Sequence, residues 1–304
     1  MGAKSFDAPA LLRFLKTTQS RYLYLCGDII DGWKLNKRWY WTDSETRIIE
    51  EIIQKSAQGT LIYYLPGNHD ENLRSVSPLL RHKFGHALGS KIKDQIMHTA
   101  LNGKRYIVLH GDQFDRKILK GPLSKWSDHF YQSLLIRLGL DEKPAIKIKG
   151  KVKRFSLAKF LQKQGSAALR LLNNFENAVY RYTKQNGADG LICGHTHIPV
   201  IKSIKDICYA NSGSWLRTGH TALVETDQGE LRLIDWPCSG SDIPLPETIK
   251  NSDVKHKDNH ITIRAQNTIE LIARIWPEQK KKTPKQKVYI EFEDSKPSTK
   301  KLDN

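Results

Sequence analysis

Four apolar segments of this sequence each end in a short polar motif that contains aspartate, asparagine or histidine. The motifs are Gly27-Asp28-Ile29-Ile30-Asp31, Gly67-Asn68-His69-Asp70, His110-Gly111-Asp112 and Gly194-His195-Thr196-His197. Short apolar runs bounded by Gly or Pro are typical of buried strands. Because open α/β sheets place their active sites at the carboxyl ends of strands, we expect the four motifs to meet at a common edge.

The side chains in these motifs are of the kinds that bind divalent cations. Carboxylate, amide oxygen and imidazole suit Mn²⁺, Fe²⁺ or Zn²⁺, and the set contains no thiolate. His195 and His197 stand at i and i+2, which puts both imidazoles on one face of an extended chain. We therefore expect a metal site made by Asp28, Asn68, His110, His195 and His197. A carboxylate such as Asp28 can bridge two ions, which together lower the pKa of a hydroxide nucleophile that attacks phosphorus.

Four further polar residues of these motifs are expected to act beside the metal ligands. His69 follows Asn68 directly and is expected to protonate the leaving oxygen or to stabilise charge in the transition state. Asp31, Asp70 and Asp112 are expected to hold the ligands through hydrogen bonds rather than to bind metal.

The first third of the chain has the pattern of a βαβ unit. Asp7 is a plausible N-cap for an opening helix, and a strand is expected over Arg21–Cys26. A second helix follows, for which Thr42 and Glu45 form a possible capping box, and then a strand over Thr60–Leu65. Strands and a helix of these lengths predict a sheet that is at least partly parallel, and hence an α/β fold.

The later part of the chain predicts more strands. Ile92–Thr99 and Arg105–Leu109 are expected to form a hairpin around Asn102-Gly103. After a strand at Leu191–Cys193, short strands separated by turns predict antiparallel pairing in a second sheet. They cover Val200–Ile204, Ile207–Ala210, Ala222–Glu225 and Glu230–Asp235.

The net charge of +17 is concentrated in one internal segment. Residues 112–187 contain 16 Lys and Arg against 6 Asp and Glu, whereas residues 238–304 contain 13 against 10. Helical spacing of apolar residues predicts that 112–187 is a basic helical insert, or lid, within a domain spanning 1–237. Residues 238–304 are expected to be a weakly ordered basic extension, with a possible helix near Ile269–Trp276 and a strand near Val288–Phe292.

The most basic part of the insert is the run 147–155, where cations alternate with apolar residues. It is either a solvated surface or a lid whose Lys151, Lys153 and Arg154 bind substrate and meet an anionic membrane surface. A nucleic-acid partner ranks lower, because aromatic residues are not interspersed as a stacking platform requires.

Hydropathy and cysteine usage bear on where the protein acts. No apolar run reaches the eighteen or so residues of a membrane span, and the polar N-terminus lacks the core of a signal peptide. Cys26, Cys193, Cys208 and Cys238 show no paired spacing, which favours free thiols. The sequence therefore predicts a cytoplasmic protein.

The four motifs resemble those of the calcineurin-like metallophosphoesterases. Further blocks resemble the UDP-2,3-diacylglucosamine diphosphatase-like branch of that family over about residues 2–236. These blocks are Gly32-Trp33, Trp39-Tyr40-Trp41, Gln113-Phe114-Asp115 and Asn211-Ser212-Gly213-Ser214-Trp215. The resemblance implies a four-layer α/β/β/α metallophosphoesterase sandwich with two divalent metal ions, commonly Mn²⁺.

By the same resemblance, individual residues acquire roles. Asp28 becomes the bridging ligand, and Asn68, His110 and His195 become ligands of one ion. His197 becomes a ligand of the other ion, and His69 the catalytic imidazole. The implied reaction is hydrolysis of the pyrophosphate of an acylated sugar nucleotide in lipid A synthesis, which releases UMP and would place the protein peripherally on the inner membrane.

The sequence departs from the family pattern at three places. The first family motif, Asp-x-His on the first strand, is absent, so the first strand is expected to be missing and one ion would keep only Asp28 and His197. Some members carry Arg where this chain has His69, and the branch often has Asp where this chain has Ser214. Two alternatives therefore stay open: hydrolysis of a soluble nucleotide or phosphodiester, and a metal-poor member that binds phospholipid or nucleic acid without turnover.

Overall fold

The computed structural model describes residues 1–114, 173–217, 219–236 and 259–278, together with two-residue strands at 147–148 and 151–152. The helices are α1 (Ala8–Thr17), α2 (Gly32–Leu35), α3 (Asp43–Ala57), α4 (Asn72–Ser75), α5 (Pro78–Leu88), α6 (173–185) and α7 (Asn259–Ile275). The strands are β1 (Tyr22–Leu25), β2 (Leu61–Tyr64), β3 (Ser90–Ile92), β4 (Gln95–Thr99), β5 (Arg105–Leu109), β6 (Lys147–Ile148), β7 (Lys151–Val152), β8 (Gly190–Cys193), β9 (Val200–Ile204), β10 (Ile207–Asn211), β11 (Trp215–Leu216), β12 (Gly219–Glu225) and β13 (Leu231–Asp235).

Two sheets carry the predicted motifs. The first sheet has the order β1-β2-β3, and both of its pairings are parallel. The second has the order β4-β5-β8-β10-β9, with a parallel centre, β5-β8-β10, and antiparallel edges. The predicted βαβ unit is thereby confirmed. The late strands are antiparallel as predicted, but they divide between the second sheet and a third sheet, β11-β12-β13.

Three hydrophobic cores define the layers. The largest packs helices α1, α3, α5 and α7 on the first sheet; among its members are Phe14, Ile49, Ile62, Phe84 and Ile272. A second core lies between the sheets and includes Leu65, Tyr106, Val108, Ile192 and Ala210. The third packs Phe175 and Val179 of α6 on the outer face of the second sheet. This is a four-layer α/β/β/α sandwich, as predicted.

The first helices begin where the sequence places their caps. Asp7 accepts a hydrogen bond from the backbone N–H of Ala10, at 3.1 Å, and starts α1. Thr42 and Glu45 form the reciprocal capping box at the start of α3. Each cap supplies acceptors for amide groups that a helix leaves unpaired at its N-terminus.

The predicted strand Ile92–Thr99 is wrong as a single element. Residues Ser90–Ile92 pair with β2 in the first sheet, and Gln95–Thr99 pair with β5 in the second. Between them Lys93 donates its backbone N–H to Tyr64, and Asp94 pairs with Arg81 at 3.0 Å. The chain thus crosses from one sheet to the other within an apolar-rich stretch whose pattern does not mark the crossing.

The C-terminal extension needs a correction over residues 259–278. The sequence predicted weak order with a possible helix near Ile269–Trp276, whereas α7 runs from Asn259 to Ile275 and packs on α3 and α5. Ala265, Ile272 and Trp276 are each 1% exposed or less. The stripe of buried residues explains the order, since it completes the core over the first sheet.

Predictions for two other segments lie largely outside the described residues. These segments are most of the basic insert, including Lys153 and Arg154, and the strand expected near Val288–Phe292. Within the insert, residues 173–185 form a predicted helix, but Lys147–Ile148 and Lys151–Val152 pair as short antiparallel strands. Among the helices in the described ranges, none combines the length and apolarity needed to span a membrane.

Candidate active site

The four motifs meet at the carboxyl ends of two strand pairs. β1 and β2 are neighbours in the first sheet, and β5 and β8 are neighbours in the second. Asp28, His110 and His195 each offer a ligand atom, and these atoms all lie within 4.8 Å of one another. The side-chain oxygen of Asn68 is 3.1 Å from His110 Nε2. Four of the five predicted ligands are therefore brought together.

His110 has one ring nitrogen turned away from the cluster and one turned into it. Its Nδ1 is 2.9 Å from the carbonyl oxygen of Cys26, which can only accept, so Nδ1 carries a proton. Its Nε2 is 3.3 Å from Asp28 Oδ2. Burial lowers the pKa of this imidazole, but the charge of Asp28 outweighs burial and raises the pKa to about 9. In the neutral ring the proton on Nδ1 leaves Nε2 as the nitrogen that can bind a metal.

Asp28 lies at the centre of the cluster. Its Oδ1 accepts a hydrogen bond from the backbone N–H of His69 at 2.9 Å. Burial works against ionisation, but His110 and His69 hold the pKa of Asp28 well below its ordinary value. A Cβ on Gly67 would lie 2.3 Å from Asp28 Oδ1 and 2.7 Å from His110 Nε2. Glycine at this position is therefore required by the close approach of the two loops.

Three predicted ligands have left-handed backbone conformations. The φ angles are +53° at Asp28, +68° at His195 and +59° at His197, and Lys205 is the fourth such non-glycine residue of the described chain. Positive φ is uncommon outside glycine and concentrates at functional sites, where the surrounding structure maintains it. These conformations occur in the loops that directly follow β1 and β8.

His197 lies at the margin of the cluster. It is half-buried and does not belong to the group of ligand atoms that lie within 4.8 Å of one another. Burial, reinforced by the charges of His195 and His110, lowers the pKa of His197 despite the attraction of Asp28. The neutral imidazole that results is the form that binds a metal.

His69 is held between a carboxylate and an indole. Its Nδ1 is 3.1 Å from Asp31 Oδ1, and its Nε2 is 4.0 Å from Asp28 Oδ2. Trp33 of α2 stacks on the ring with centroids 4.1 Å apart, and the indole is 39% exposed. Burial raises the pKa of Asp31, but the hydrogen bond from His69 outweighs burial, so the pKa lies below its ordinary value. Nε2 is the ring nitrogen that faces the cluster.

Asp70 connects the two loops of the first sheet. It is fully buried and accepts hydrogen bonds from Tyr64 Oη at 2.6 Å, from the N–H of Ile29 at 3.0 Å and from the N–H of Gly67 at 2.5 Å. Burial and the nearby charge of Asp28 raise the pKa of Asp70. Its contacts are with backbone and Tyr64, which agrees with a supporting role.

Asp112 connects the second sheet to the first. It is 5% exposed and forms a two-pronged pair with Arg74 of α4, at 2.6 and 2.9 Å. Arg74 also donates to the carbonyl oxygen of Pro66, two residues before Asn68. Burial raises the pKa of Asp112, but the hydrogen bonds from Arg74 lower it overall. The loop of Asn68 and the loop of His110 are thus fixed to each other.

Sequence reasoning gave no role to Arg74, Trp33 or Asn211. Buried Asn211 donates to the carbonyl oxygen of Gly194 at 2.5 Å and to Thr196 Oγ1 at 3.1 Å, which holds the turn that carries His195. Trp33 and Asn211 stand in the blocks that carry the family resemblance, which was the available signal. Arg74 had none, because its partner Asp112 is distant in sequence.

The donor set fits divalent cations. One carboxylate, one amide oxygen and two imidazoles converge, and hydrogen bonds from outside the cluster hold two of them, Asp28 and His110. Such oxygen and nitrogen sets suit Mn²⁺, Fe²⁺ and Zn²⁺. The predicted substrate-binding residues Lys151, Lys153 and Arg154 have side chains that lie outside the described residues.

The calcineurin-like phosphoesterase family matches residues 4–199. This match covers more than half of the chain, and the sandwich and its four loop motifs agree with it. The chain belongs to the calcineurin-like phosphoesterase family.

Curated relatives point to one branch of that family. A UDP-2,3-diacylglucosamine hydrolase of Chromohalobacter salexigens is 27% identical over 187 residues, 59% of this chain and 68% of that protein. A UDP-2,3-diacylglucosamine hydrolase of Photorhabdus laumondii is 26% identical over 245 residues, 74% of this chain and 90% of that protein. The solved structure of an archaeal phosphodiesterase is 14% identical in sequence, with a TM-score of 0.36. The match covers 75% of this chain and 90% of the archaeal chain.

Proposed function

We propose that this protein is a metal-dependent hydrolase of the pyrophosphate bond in UDP-2,3-diacylglucosamine-like acylated sugar nucleotides. One observation carries the proposal: the ligand atoms of Asp28, His110 and His195, from three strand ends, lie within 4.8 Å of one another. The names of the relatives supply the substrate class, and the family supplies phosphoester chemistry.

In this proposal two divalent ions, most simply Mn²⁺, are held by the predicted ligands. Asn68, His110 and His195 would hold one ion, His197 would hold the other, and Asp28 would bridge them. Bound ions of this kind neutralise phosphate charge and lower the pKa of the attacking water. The hydrogen bond from His110 Nδ1 to the carbonyl oxygen of Cys26 would make Nε2 the ring nitrogen that binds the ion.

His69 has the geometry of a proton donor to the leaving oxygen. Asp31 fixes Nδ1, Trp33 covers one ring face, and Nε2 faces Asp28. Protonation of a phosphate leaving group by such a positioned imidazole typically contributes a factor of about 10²–10⁴ to the rate. The stacked Trp33 also excludes water from that side of the ring.

The acyl chains of such a substrate reside in a membrane, so we extend the proposal to a cytoplasmic protein that works peripherally on the inner membrane. The basic insert would meet the anionic lipid surface, with Lys151, Lys153 and Arg154 near substrate phosphate. Sedimentation with anionic vesicles, compared with RNA binding over a range of salt, tests this step. Binding to RNA alone would overturn it.

The test of the enzyme is Mn²⁺-dependent release of UMP from UDP-2,3-diacylglucosamine, run beside an aryl phosphodiester. His195→Ala should abolish turnover, while the matched control His82→Ala, an exposed histidine outside the site, should not change it. Hydrolysis of the diester alone would discard the lipid substrate. Binding of the sugar nucleotide without hydrolysis of either compound would favour a non-catalytic binding protein.

A further inference from the structure

The C-terminal end of α7 lies against the two loops of the first sheet. Trp276, directly after the helix, is 1% exposed, and the carbonyl oxygen of Ile275 accepts a hydrogen bond from Asn72 Nδ2 at 3.0 Å. α7 begins at Asn259, sixty residues beyond the end of the family match at 199. This contact is therefore made by a part of the chain that the family comparison does not cover.

Trp276 lies against the backbone at the start of α2, the short helix that follows the loop of Asp28. A Cβ on Gly32 would lie 2.0 Å from Trp276 Nε1 and 2.3 Å from Cδ1, far inside contact distance. Gly32 does not have a left-handed φ, so this glycine is required by the close approach of the indole and not by its conformation. The indole edge thus rests directly on Gly32.

Gly32 connects this contact to His69. Its N–H donates to the carbonyl oxygen of His69 at 3.1 Å. The preceding residue, Asp31, holds His69 Nδ1 with its carboxylate. A displacement of Gly32 would therefore shift both the backbone and the side-chain partner of His69.

The hydrogen bond of Asn72 fixes the second loop. Asn72 opens α4, three residues after His69. The carbonyl of Ile275 is in the last turn of α7, where no intrahelical N–H is available to it, so the Asn72 amide satisfies a group that the helix leaves unpaired. The end of α7 therefore contacts Gly32, which donates to the His69 backbone, and Asn72, which follows His69 by three residues.

We propose that the Ile275–Trp276 end of α7 is a positioning element that sets the distance between residues 27–33 and 66–72 and so aims His69 at the metal cluster. The proposal rests on the phosphoesterase function above, in which His69 acts on the substrate. It gives the C-terminal helix a part in turnover in addition to its part in the core.

A compensation experiment tests it. Gly32→Ala forces the new methyl into the indole and should lower kcat at least about tenfold, since misplacing a catalytic group by an ångström is that costly. Trp276→Leu should lower kcat about three- to tenfold. The double variant Gly32→Ala/Trp276→Leu should have a higher kcat than Gly32→Ala alone, because the smaller leucine leaves room for the new methyl group. A double variant equal to or worse than Gly32→Ala would overturn the proposal.

Two matched controls separate positioning from stability. Ile272→Ala truncates a fully buried residue one turn earlier on α7 and should lower stability while kcat stays within about twofold. Asn72→Ala should lower kcat with little change in KM, whereas Ser75→Ala, on the same short helix, should not. If kcat falls as much in Ile272→Ala as in Trp276→Leu, the loss of activity comes from lower stability alone and the positioning proposal is wrong.

A readout without turnover keeps this proposal separate from the proposed function. In metal-free protein labelled with ¹⁵N-histidine, Trp276→Leu should move the His69 ring resonances, while those of exposed His82 stay fixed. If the wild-type protein hydrolyses no phosphoester, the proposed function fails. The change in the His69 ring resonances in Trp276→Leu still tests whether Trp276 positions His69. If the wild type is active and His69 is unaffected by Trp276→Leu, only the positioning proposal fails.

Discussion

The two sheets contribute to the site in different ways. On the first sheet, the loops of Asp28 and His69 are held by hydrogen bonds to the carboxylates of Asp70 and Asp31. On the second, the turn of His195 and His197 is held by left-handed backbone conformations and by Asn211. The loops of the first half, held by carboxylates, should therefore respond more strongly to changes of charge than the turn of His195, which is held by a neutral amide. The halves are joined at the site by His110, whose ring contacts Cys26 and Asp28, and by Arg74, which pairs with Asp112.

The largest effect is expected where the halves share one carboxylate. Asp28→Asn keeps the shape of the side chain but removes the charge that faces His110 and the ions. We expect kcat to fall by at least about 10³, because in the proposed site Asp28 is the carboxylate that would bridge the ions. The measurement is Mn²⁺-dependent hydrolysis together with the circular dichroism spectrum. Asp227→Asn, at an exposed turn, is the control, and activity of Asp28→Asn near the wild-type rate would contradict the ligand assignment.

Removal of metal should expose the ionic contact between the halves. The lowered pKa of Asp28 contributes stability above about pH 4, and the raised pKa of His110 contributes stability that is complete below about pH 6.5. The His110 contribution is lost as pH rises through its folded pKa of about 9. Metal-free protein should therefore lose about 2–3 kcal/mol of unfolding free energy between pH 6.5 and 9.5.

Urea unfolding at several pH values checks this decline. Excess Mn²⁺ should cancel it, because the metal binds neutral imidazole and its affinity grows with pH. His110→Gln should lack the decline as well. Equal slopes for the wild type and His110→Gln would show that His110 and Asp28 are not coupled as the geometry indicates.

The second contact between the halves is tested by Arg74→Gln. It leaves buried Asp112 without its partner and should lower the unfolding free energy by about 2–3 kcal/mol at pH 7. The pKa of Asp112 is lowered in the folded state, so the loss should vanish as pH falls below about 4. Arg81→Gln, whose partner Asp94 is 65% exposed, should lose less than about 1 kcal/mol. Equal losses for the two variants would show that burial of Asp112 adds nothing.

The sequence predicted the candidate metal ligands better than the residues that support them. Each apolar run followed by a polar motif marks a strand end, and the structure places Asp28, Asn68, His110 and His195 together at such ends. Arg74, Asn211 and Trp276 were not predicted, because each acts on a partner far away in the chain. No local period or spacing reports such a partner.

The distance of a signal along the chain also explains which elements of the fold were predicted and which were missed. Caps and periodicity located α1 and α3, because those signals lie within a few residues of the helices. The crossing between sheets at Lys93-Asp94 was missed, since adjacent strands in different sheets have the same apolar pattern as one long strand. The length and order of α7 were underestimated, because the polar residues on either side of it dominate the composition of residues 238–304. Its stripe of buried residues is ordered by packing on α3 and α5.

The smallest effect is expected at Asp70, where the first half of the site holds its own loops together. Tyr64→Phe removes one of several donors to this buried carboxylate, and the N–H groups of Ile29 and Gly67 remain. We expect a loss of about 1–2 kcal/mol in unfolding free energy, measured in urea. Tyr63→Phe, on the opposite face of β2, is the matched control and should change it by less than about 0.5 kcal/mol. Because the Tyr64 hydroxyl contacts Asp70 and the backbone of Ile30 and is not itself a proposed metal ligand, kcat should fall less than in Asp28→Asn. A loss of activity as large as that of Asp28→Asn would mean that Asp70 acts on the substrate or the ions directly.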